Sequence, residues 1–334
     1  MKSYERMIKT LKFEKVDRPP RDLWALPGIS MDRADEMEMV KKRFPMDIGY
    51  PSCDRPRMPY ERGNPGEKGT YVDEWDCVWE AKERGVVGEV KQYPLDDWSK
   101  LKNFKPPYET LNFNMDPVNK FVATTDTFVV GACVARPFER MQFLRGSENL
   151  YLDIGYGTKE LYQLREMMRD FECKNAEIWV KSDVHAIAFM DDWGSQRSLL
   201  ISPEMWRELF KPLYKDYVDI AHSQGKYIFM HSDGYIMDIY EDLIEMGVDA
   251  INSQLFCMDI EEIGRRFKGR ITFWGEIDRQ NILPFGKVEE VKNAVKRVKK
   301  ALWNGNGGII AQCEWGINNP RENIEAVFEE WENV

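Results

Sequence analysis

The segment "SPEMWRELFKPLYKDYVDIAHSQGKYIFMHSDG", residues 202–234, contains a helix pattern followed directly by a strand pattern. Ser202 and Pro203 are typical of the first positions of a helix, and Gly225 is typical of the position after its end. The apolar run 226–231 has the length of a buried strand and stops at a histidine. A strand that is apolar on both faces and follows a helix predicts a parallel sheet covered by helices.

This pattern recurs along the chain after residue 120. Short apolar runs predict strands at 127–134, 177–184, 226–231, 249–255, 271–278 and 307–313. Two weaker strand patterns, at 22–26 and 47–52, precede them. Eight strands that alternate with helices favour a closed (β/α)8 TIM barrel. A doubly wound sheet is the alternative, but the sequence has no glycine-rich phosphate-binding turn.

Residues 54–120 interrupt the alternation. They are rich in proline, glycine, tryptophan and charged residues, as in "DRPRMPYERGNPGEKGTYVDEWDCVWEAKERG". We therefore predict a single domain over 1–334, with a loop-rich insertion at 54–120. Within this insertion we expect a small hairpin between Tyr71 and Trp79.

The bulk composition restricts the class of protein. Hydrophobic residues make up 43% of the 334 residues and charged residues 31%, as in a soluble globular protein. The net charge of −10 argues against nucleic acid or an anionic membrane as a partner. An anionic substrate would need a local cluster of basic residues to offset that charge. The oligomeric state is left open.

The six cysteines form no CxxC pair, which is typical of reduced thiols in the cytoplasm. The first residues lack the apolar core of a signal peptide, and no stretch reaches the roughly 20 apolar residues of a membrane span. We therefore expect a cytoplasmic protein.

Polar side chains stand at the ends of the predicted strands, where barrel enzymes collect their catalytic groups. In chain order these residues include Asp183, His231, Asp233, Asn252, Glu276 and Cys313. Nitrogen, carboxylate and thiolate ligands suit zinc, and three protein ligands with an open position are typical of a catalytic site. The alternative is that the cysteine only packs and that the aspartates only cap turns.

Four segments carry a resemblance to a known family. They are "DDWGSQRSLLISPEMWRELFKPLYK" (191–215), "MHSDGYIMDIYEDLIEMGVDAINSQ" (230–254), "FWGEIDRQNILPFG" (273–286) and "CEWGINNPRENI" (313–324). In order and spacing they resemble the uroporphyrinogen decarboxylase superfamily, whose fold is the same barrel. That superfamily implies either cofactor-free decarboxylation of a porphyrinogen or zinc-dependent methyl transfer between a corrinoid protein and a thiol or pterin.

The methyltransferase branch is the closer match. That branch has an H-x-C motif after strand five and a cysteine before a P-x-E-N segment, which His231 and Cys313 match. Asp233 replaces the first cysteine, which leaves a harder ligand set. The resemblance implies zinc bound by His231, Asp233, Cys313 and Glu276. It also implies methylcobalamin on a partner corrinoid protein, since this chain has no D-x-H-x-x-G motif, and tetrahydrofolate or a thiol as acceptor.

Further roles are predicted on the same basis. We expect His231, Glu276 and Asp183 to be catalytic. Asp191, Gln196 and Asn252 are candidates for binding a pterin cofactor, with Asp192 beside them.

Two alternatives to methyl transfer stay open. One is a lyase that acts on a porphyrinogen or another carboxylate. The stretch "LWALPGISMDRADEM" (23–37), where that branch has an arginine-rich motif, contains one arginine. The other is a ligand-binding barrel without catalysis.

Overall fold

The computed structural model describes residues 1–333, without the side chains of residues 132–134. Within that range the strands are β1 (Arg21–Ala25), β2 (Ile48–Gly49), β3 (Gly69–Val72), β4 (Val78–Ala81), β5 (Glu89–Gln92), β6 (Phe128–Ala135), β7 (Ala186–Met190), β8 (Tyr227–Ser232), β9 (Ala250–Ser253), β10 (Thr272–Trp274) and β11 (Ile309–Trp315).

The helices of the same range surround these strands. They are α1 (Ser3–Leu11), α2 (Pro27–Asp32), α3 (Ala34–Arg43), α4 (Asp116–Thr124), α5 (Pro137–Arg145), α6 (Ser147–Tyr156), α7 (Lys159–Val180), α8 (Pro203–Leu209), α9 (Lys211–Ser223), α10 (Tyr240–Met246), α11 (Ile260–Phe267), α12 (Ile282–Phe285), α13 (Val288–Leu302) and α14 (Arg321–Glu332). Four 3₁₀ helices cover Trp98–Asn103, Tyr108–Leu111, Met237–Ile239 and Leu255–Cys257. No helix within residues 1–333 combines the length and the apolar character that crossing a bilayer requires.

Eight of the strands form one parallel sheet in the order β1-β11-β10-β9-β8-β7-β6-β2. β1 and β11, which are the first and the last strands along the chain, pair with each other in parallel. At the gap between β1 and β2, the amide of Asp47, which immediately precedes β2, donates a backbone hydrogen bond to the carbonyl of Arg21 at 2.9 Å. The sheet is therefore a nearly closed barrel, and the predicted (β/α)8 TIM barrel is confirmed.

The helix-to-strand segment at 202–234 follows its prediction closely. The Ser202 hydroxyl accepts the amide of Met205 at 3.2 Å, and Gly225 has a positive φ of 65° just beyond the end of α9. The helix is split into α8 and α9 at Phe210, because Pro212 lies in the first turn of α9 and has no N–H to continue the hydrogen-bond ladder.

One strand prediction, 177–184, is wrong. Residues up to Val180 continue α7, where Ala176, Trp179 and Val180 are buried at helical spacing. The strand itself is β7, from Ala186 to Met190. A short apolar run fits the end of a buried helix as well as a strand, so its composition could not separate the two. Asp183 consequently precedes its strand and lies at the amino-terminal end of the barrel.

The insertion at 54–120 contains the expected hairpin. Strands β3, β4 and β5 form an antiparallel sheet in which Tyr71 pairs with Trp79. The Asp73 carboxylate accepts the indole N–H of Trp79 at 2.9 Å and the guanidinium of Arg140 from α5 at 2.9 Å. This shared carboxylate fixes the insertion to the barrel.

Alternation along the strands separates two apolar layers. One layer fills the lumen and includes Phe128, Phe229, Trp274 and Ile310. The other lies between the strands and the helices and includes Ile309, Ala311, Cys313 and Trp315 of β11. The five described cysteines, Cys53, Cys77, Cys173, Cys257 and Cys313, are all free thiols, as predicted.

The first prediction concerns the junction between β1 and β2. The fully buried Asp47 carboxylate accepts Arg6 Nη1 at 2.5 Å, Arg18 Nη1 at 2.6 Å and the Arg21 amide at 2.8 Å. Asp47→Asn removes the carboxylate that pairs with Arg18 and one of the two carboxylates that pair with the buried Arg6, the other being Asp17 at 2.7 Å. We therefore expect a loss of about 3 kcal/mol in the free energy of unfolding, measured by urea denaturation. Asp126→Asn, which removes an exposed pair with Lys2, should change it little. Equal losses in the two variants would contradict this role.

The second prediction concerns pH. Asp22 is buried and accepts hydrogen bonds from the Tyr50 hydroxyl at 2.7 Å and Trp274 Nε1 at 2.8 Å, and its burial raises its pKa to about 6. The folded protein therefore keeps a proton that the unfolded chain loses near pH ~4, so this group lowers stability as the pH rises from about 4 to about 6.

Asp22→Asn removes that titration. Relative to the variant, the wild-type free energy of unfolding should fall by up to about 3 kcal/mol between pH 4 and pH 6.5. Urea denaturation of both proteins across this range measures the difference. Parallel stability curves would show that Asp22 does not titrate in this range.

Candidate functional site

The loops that follow β7 and β8 lie against each other at the carboxyl end of the barrel. Gly194 and Gly234 make the contact, since a Cβ on Gly194 would lie 2.4 Å from the carbonyl carbon of Gly234. Gly234 also has a φ of 76°, a region that favours glycine. The amide of Gly194 donates to the carbonyl of Asp233 at 3.0 Å. This close packing places Asp192 beside Asp233.

His231 points into the barrel from β8, on the same face as Phe229 of the lumen layer. Its Nδ1 lies 2.7 Å from Asn252 Oδ1. The Asn252 amide nitrogen donates to the Trp274 carbonyl at 2.5 Å and to Gln312 Oε1 at 3.1 Å, so its oxygen is the atom that faces the ring. Nδ1 must therefore carry the proton, and in the neutral ring Nε2 presents a lone pair.

Two carboxylates face that lone pair. Nε2 of His231 lies 3.6 Å from Asp192 Oδ1 and 3.5 Å from Asp233 Oδ1. The three donor atoms lie within 4.8 Å of one another, and this is the potential metal-binding group found within residues 1–333. Asp233 Oδ1 is buried and accepts no hydrogen bond from any described residue. Burial, with a further contribution from the Asp233 carboxylate, raises the pKa of Asp192.

Arg279 occupies the other side of Asp233. Its guanidinium contacts Asp233 Oδ2, donates to Glu314 Oε1 at 3.0 Å and lies 3.9 Å from Glu276 Oε1. One cation thus partly neutralises three carboxylates and leaves Oδ1 of Asp233 directed at His231. Sequence reasoning missed Arg279, although its position three residues after Glu276 places it in the same loop.

Two of the predicted metal ligands lie apart from the triad of Asp192, His231 and Asp233. Glu276 is buried beside Arg279, and its burial raises its pKa well above the usual value. Cys313 belongs to the apolar layer outside the barrel, because it lies one residue out of phase with the inward-facing Ile310 and Gln312. Its burial raises the pKa of its thiol. We therefore do not retain Cys313 in the ligand set.

The other predicted site residues have different surroundings. Asp191 is fully buried and accepts the amides of Phe138 and Glu139 at 2.8 and 2.7 Å, so its carboxylate is engaged at the start of α5. Gln196 is exposed and accepts a hydrogen bond from the Cys257 thiol at 3.5 Å. Asn252 holds His231, and Asp183 lies at the far end of the barrel.

Glu139 is a further titratable group near the triad that sequence reasoning missed. Burial raises its pKa to about 8, and the carboxylates of Asp192 and Asp191 add to the shift while Arg136 opposes it. A carboxyl group that keeps its proton at neutral pH can act as a general acid. No motif in the sequence pointed to it, because its neighbours come from a different loop.

The donor chemistry of the triad fits a divalent cation. A neutral imidazole and two carboxylates are ligands that zinc and other first-row ions accept. A cation would also supply a partner for the buried Oδ1 of Asp233 and would relieve the repulsion among three acceptor atoms. The triad contains no sulfur ligand, so its donor atoms are harder than those of the predicted ligand set, which included Cys313.

Comparison with protein families gives one match. The family model for uroporphyrinogen decarboxylase (URO-D) matches residues 79–334. No curated protein matches the chain in sequence.

Two solved structures are similar to this chain, and the first of them shares its fold. A methyltransferase from Methanosarcina mazei is 16% identical, with a TM-score of 0.68, and the match covers 100% of this chain and 99% of that one. An endo-β-1,4-xylanase from Gloeophyllum trabeum is 11% identical, with a TM-score of 0.48, and the match covers 97% and 99% of the two chains. At 16% identity, the likeness to the methyltransferase concerns the fold alone.

The third prediction concerns Asn252. Asn252→Ala removes the acceptor that fixes the His231 ring, and loss of such a partner typically weakens metal binding about 10–100-fold. Isothermal titration with Zn²⁺ measures the change. Ser253→Ala is the matched control, because Ser253 follows in the same strand but bonds the Tyr240 hydroxyl at 2.7 Å on the other face. Unchanged Zn²⁺ affinity in Asn252→Ala would contradict the positioning role.

Proposed function

The chain belongs to the uroporphyrinogen decarboxylase family, and from that premise we propose that it is a metal-dependent methyltransferase. The observation that carries the proposal is the triad: two carboxylate oxygens lie 3.5 and 3.6 Å from Nε2 of His231. The likeness in fold to the methyltransferase from Methanosarcina mazei supports the same reading.

The proposed ligands are Asp192, His231 and Asp233, and zinc is the ion that we propose. A divalent ion held there would lower the pKa of a bound thiol or amine, or polarise a methyl donor. His231 keeps its lone pair directed at the site through Asn252. Arg279 holds Asp233 in place and limits the negative charge around it. Asp192 is partly exposed, so the site is open on its side.

Glu139 is our candidate for the proton-transfer step. Burial raises its pKa to about 8, and it interacts electrostatically with Asp192. A group with this pKa can donate the proton to a leaving oxygen or sulfur, or accept one from an acceptor, near physiological pH.

The partner and the acceptor follow from the family resemblance rather than from the geometry. We propose that the methyl group moves to or from cobalamin on a separate corrinoid protein, with tetrahydrofolate or a thiol as the other substrate. The cytoplasm is the compartment that free thiols at the five described cysteines favour.

Decarboxylation of a porphyrinogen is less well supported. The mouth contains Asp192, Asp233, Glu276 and Glu314, and the guanidinium of Arg279 is already engaged by the last three. A substrate that carries many carboxylates would meet repulsion there.

The fourth prediction tests the proposed reaction. The protein loaded with Zn²⁺ is incubated with methylcobalamin and with tetrahydrofolate, coenzyme M or homocysteine. We expect loss of the methyl–cobalt absorbance with one acceptor, and we expect a chelator to stop it. His231→Ala should abolish both Zn²⁺ binding and transfer, because it removes the nitrogen ligand.

His222→Ala is the matched control for this experiment. His222 lies on α9 with its side chain 42% exposed, and its Nε2 contacts Asp249 at 3.0 Å. This variant should keep both Zn²⁺ and activity. Methyl transfer that continues at the full rate in metal-free protein would refute the proposal.

A further inference from the structure

The Asn252 side chain, which holds His231, is itself held by two acceptors. Its amide nitrogen donates to the carbonyl of Trp274 at 2.5 Å and to Oε1 of Gln312 at 3.1 Å. Its oxygen lies 2.7 Å from Nδ1 of His231. A chain of hydrogen bonds therefore crosses the barrel from Gln312 on β11 through Asn252 on β9 to His231 on β8.

Gln312 reaches Asn252 at a point where the backbone leaves room for it. Strand β10 lies between β9 and β11 in the sheet, so these two side chains come from strands that are not neighbours. A Cβ on Gly275, the residue that follows β10, would lie 2.2 Å from Oε1 of Gln312. Gly275 also has a φ of 72°, a region that favours glycine. The contact between Gln312 and Asn252 therefore depends on the absence of a side chain at Gly275.

The orientation of the two amides is fixed by their neighbours. Turning over Asn252 alone would bring its oxygen against Oε1 of Gln312 and against the Trp274 carbonyl. Turning over both amides would keep the hydrogen bond between them, but the Asn252 oxygen would still meet the Trp274 carbonyl. The observed orientation is the one in which no two of these acceptor oxygens meet.

Stability alone does not explain an amide at position 312. Gln312 is 1% exposed, and its Nε2 has no acceptor among the residues that the structure describes. A buried donor without an acceptor destabilises the folded protein. An apolar side chain of the same length, such as methionine, would avoid this penalty. The hydrogen bond to Asn252 is therefore the feature that distinguishes Gln312 from an apolar residue.

That hydrogen bond bears on the metal site because Asn252 carries the Nδ1–H of His231. With this proton fixed on Nδ1, the Nε2 lone pair faces the oxygens of Asp192 and Asp233 at 3.6 and 3.5 Å. If the Asn252 amide loses one of its two acceptors, it leaves this position more often. The His231 ring then spends less time in the position in which Nε2 meets the two carboxylates.

We propose that Gln312 is a positioning residue of the metal site, which holds the Asn252 amide and, through it, the His231 ring. The inference rests on the proposed function in one respect, since it assigns the held ring to the binding of Zn²⁺. The hydrogen bonds themselves form without the metal, so the two proposals can fail separately.

The fifth prediction concerns Gln312→Met, which removes the acceptor and keeps the length of the side chain. In metal-free protein, the Nδ1 proton of His231 should exchange with solvent about fivefold faster, the effect of losing one hydrogen bond. Nuclear magnetic resonance of protein with isotope-labelled histidine measures this rate. Isothermal titration with Zn²⁺ should show an affinity lower by about the same factor, because the Trp274 carbonyl still holds the Asn252 amide.

Thr272→Val is the matched control. Thr272 of β10 is also fully buried, and its hydroxyl likewise has no partner within residues 1–333, but it makes no hydrogen bond to Asn252. This variant should keep both the exchange rate and the Zn²⁺ affinity of the wild type. The urea midpoint of Gln312→Met should not fall below that of the wild type, since the variant also removes a buried donor without an acceptor.

Two further variants separate positioning from packing. In an Asn252→Ala background, Gln312→Met should cause no further loss of Zn²⁺ affinity, because the residue through which Gln312 acts is gone. Gln312→Glu keeps an acceptor oxygen in either protonation state, so the Nδ1 proton should exchange at the wild-type rate.

An unchanged exchange rate in Gln312→Met, an equal change in Thr272→Val, or the same loss of affinity in the Asn252→Ala background would overturn the inference. So would faster exchange in Gln312→Glu. If Gln312→Met speeds the exchange while the wild type binds no Zn²⁺, the positioning of His231 by Gln312 stands and the proposed function fails.

Discussion

One hydrogen bond, between Nδ1 of His231 and Oδ1 of Asn252, determines what the mouth of this barrel can bind. It commits the ring proton to Nδ1 and turns the Nε2 lone pair toward the carboxylates of Asp192 and Asp233. Three acceptor atoms then converge on one point, an arrangement that is electrostatically unfavourable by itself. A cation at that point, or a proton on the ring, removes the conflict.

The surrounding residues make this arrangement tolerable in the folded protein. Arg279 holds Asp233, Glu276 and Glu314 together, so part of the local negative charge is compensated without the metal. The contact between Gly194 and Gly234 holds the two aspartate loops at the distance that His231 requires. Asp192 is the more exposed of the two carboxylate ligands, and its Oδ1 accepts the amide of Asp233 at 3.0 Å.

Much of the fold could be predicted from the sequence because each strand of a parallel barrel is a short apolar run next to a helix. The error at 177–184 arose where the end of α7 and a strand have the same composition. In the site, His231 and Asp233 were identified because both follow one well-defined strand. Cys313 lies in the apolar layer outside the barrel, because a shift of one residue in a strand reverses the face of a side chain. Arg279 and Glu139 were missed because they meet the triad only through the packing of separate loops.

The ligand atoms of the proposed metal determine whether it would better activate a methyl acceptor or a methyl donor. A thiolate ligand donates electron density and favours a bound nucleophile, whereas two carboxylates leave the ion harder and more electrophilic. An electrophilic ion is better suited to polarising the oxygen of a methyl donor than to activating a thiol acceptor. The ligand set therefore favours, for the proposed enzyme, a small molecule as the methyl donor.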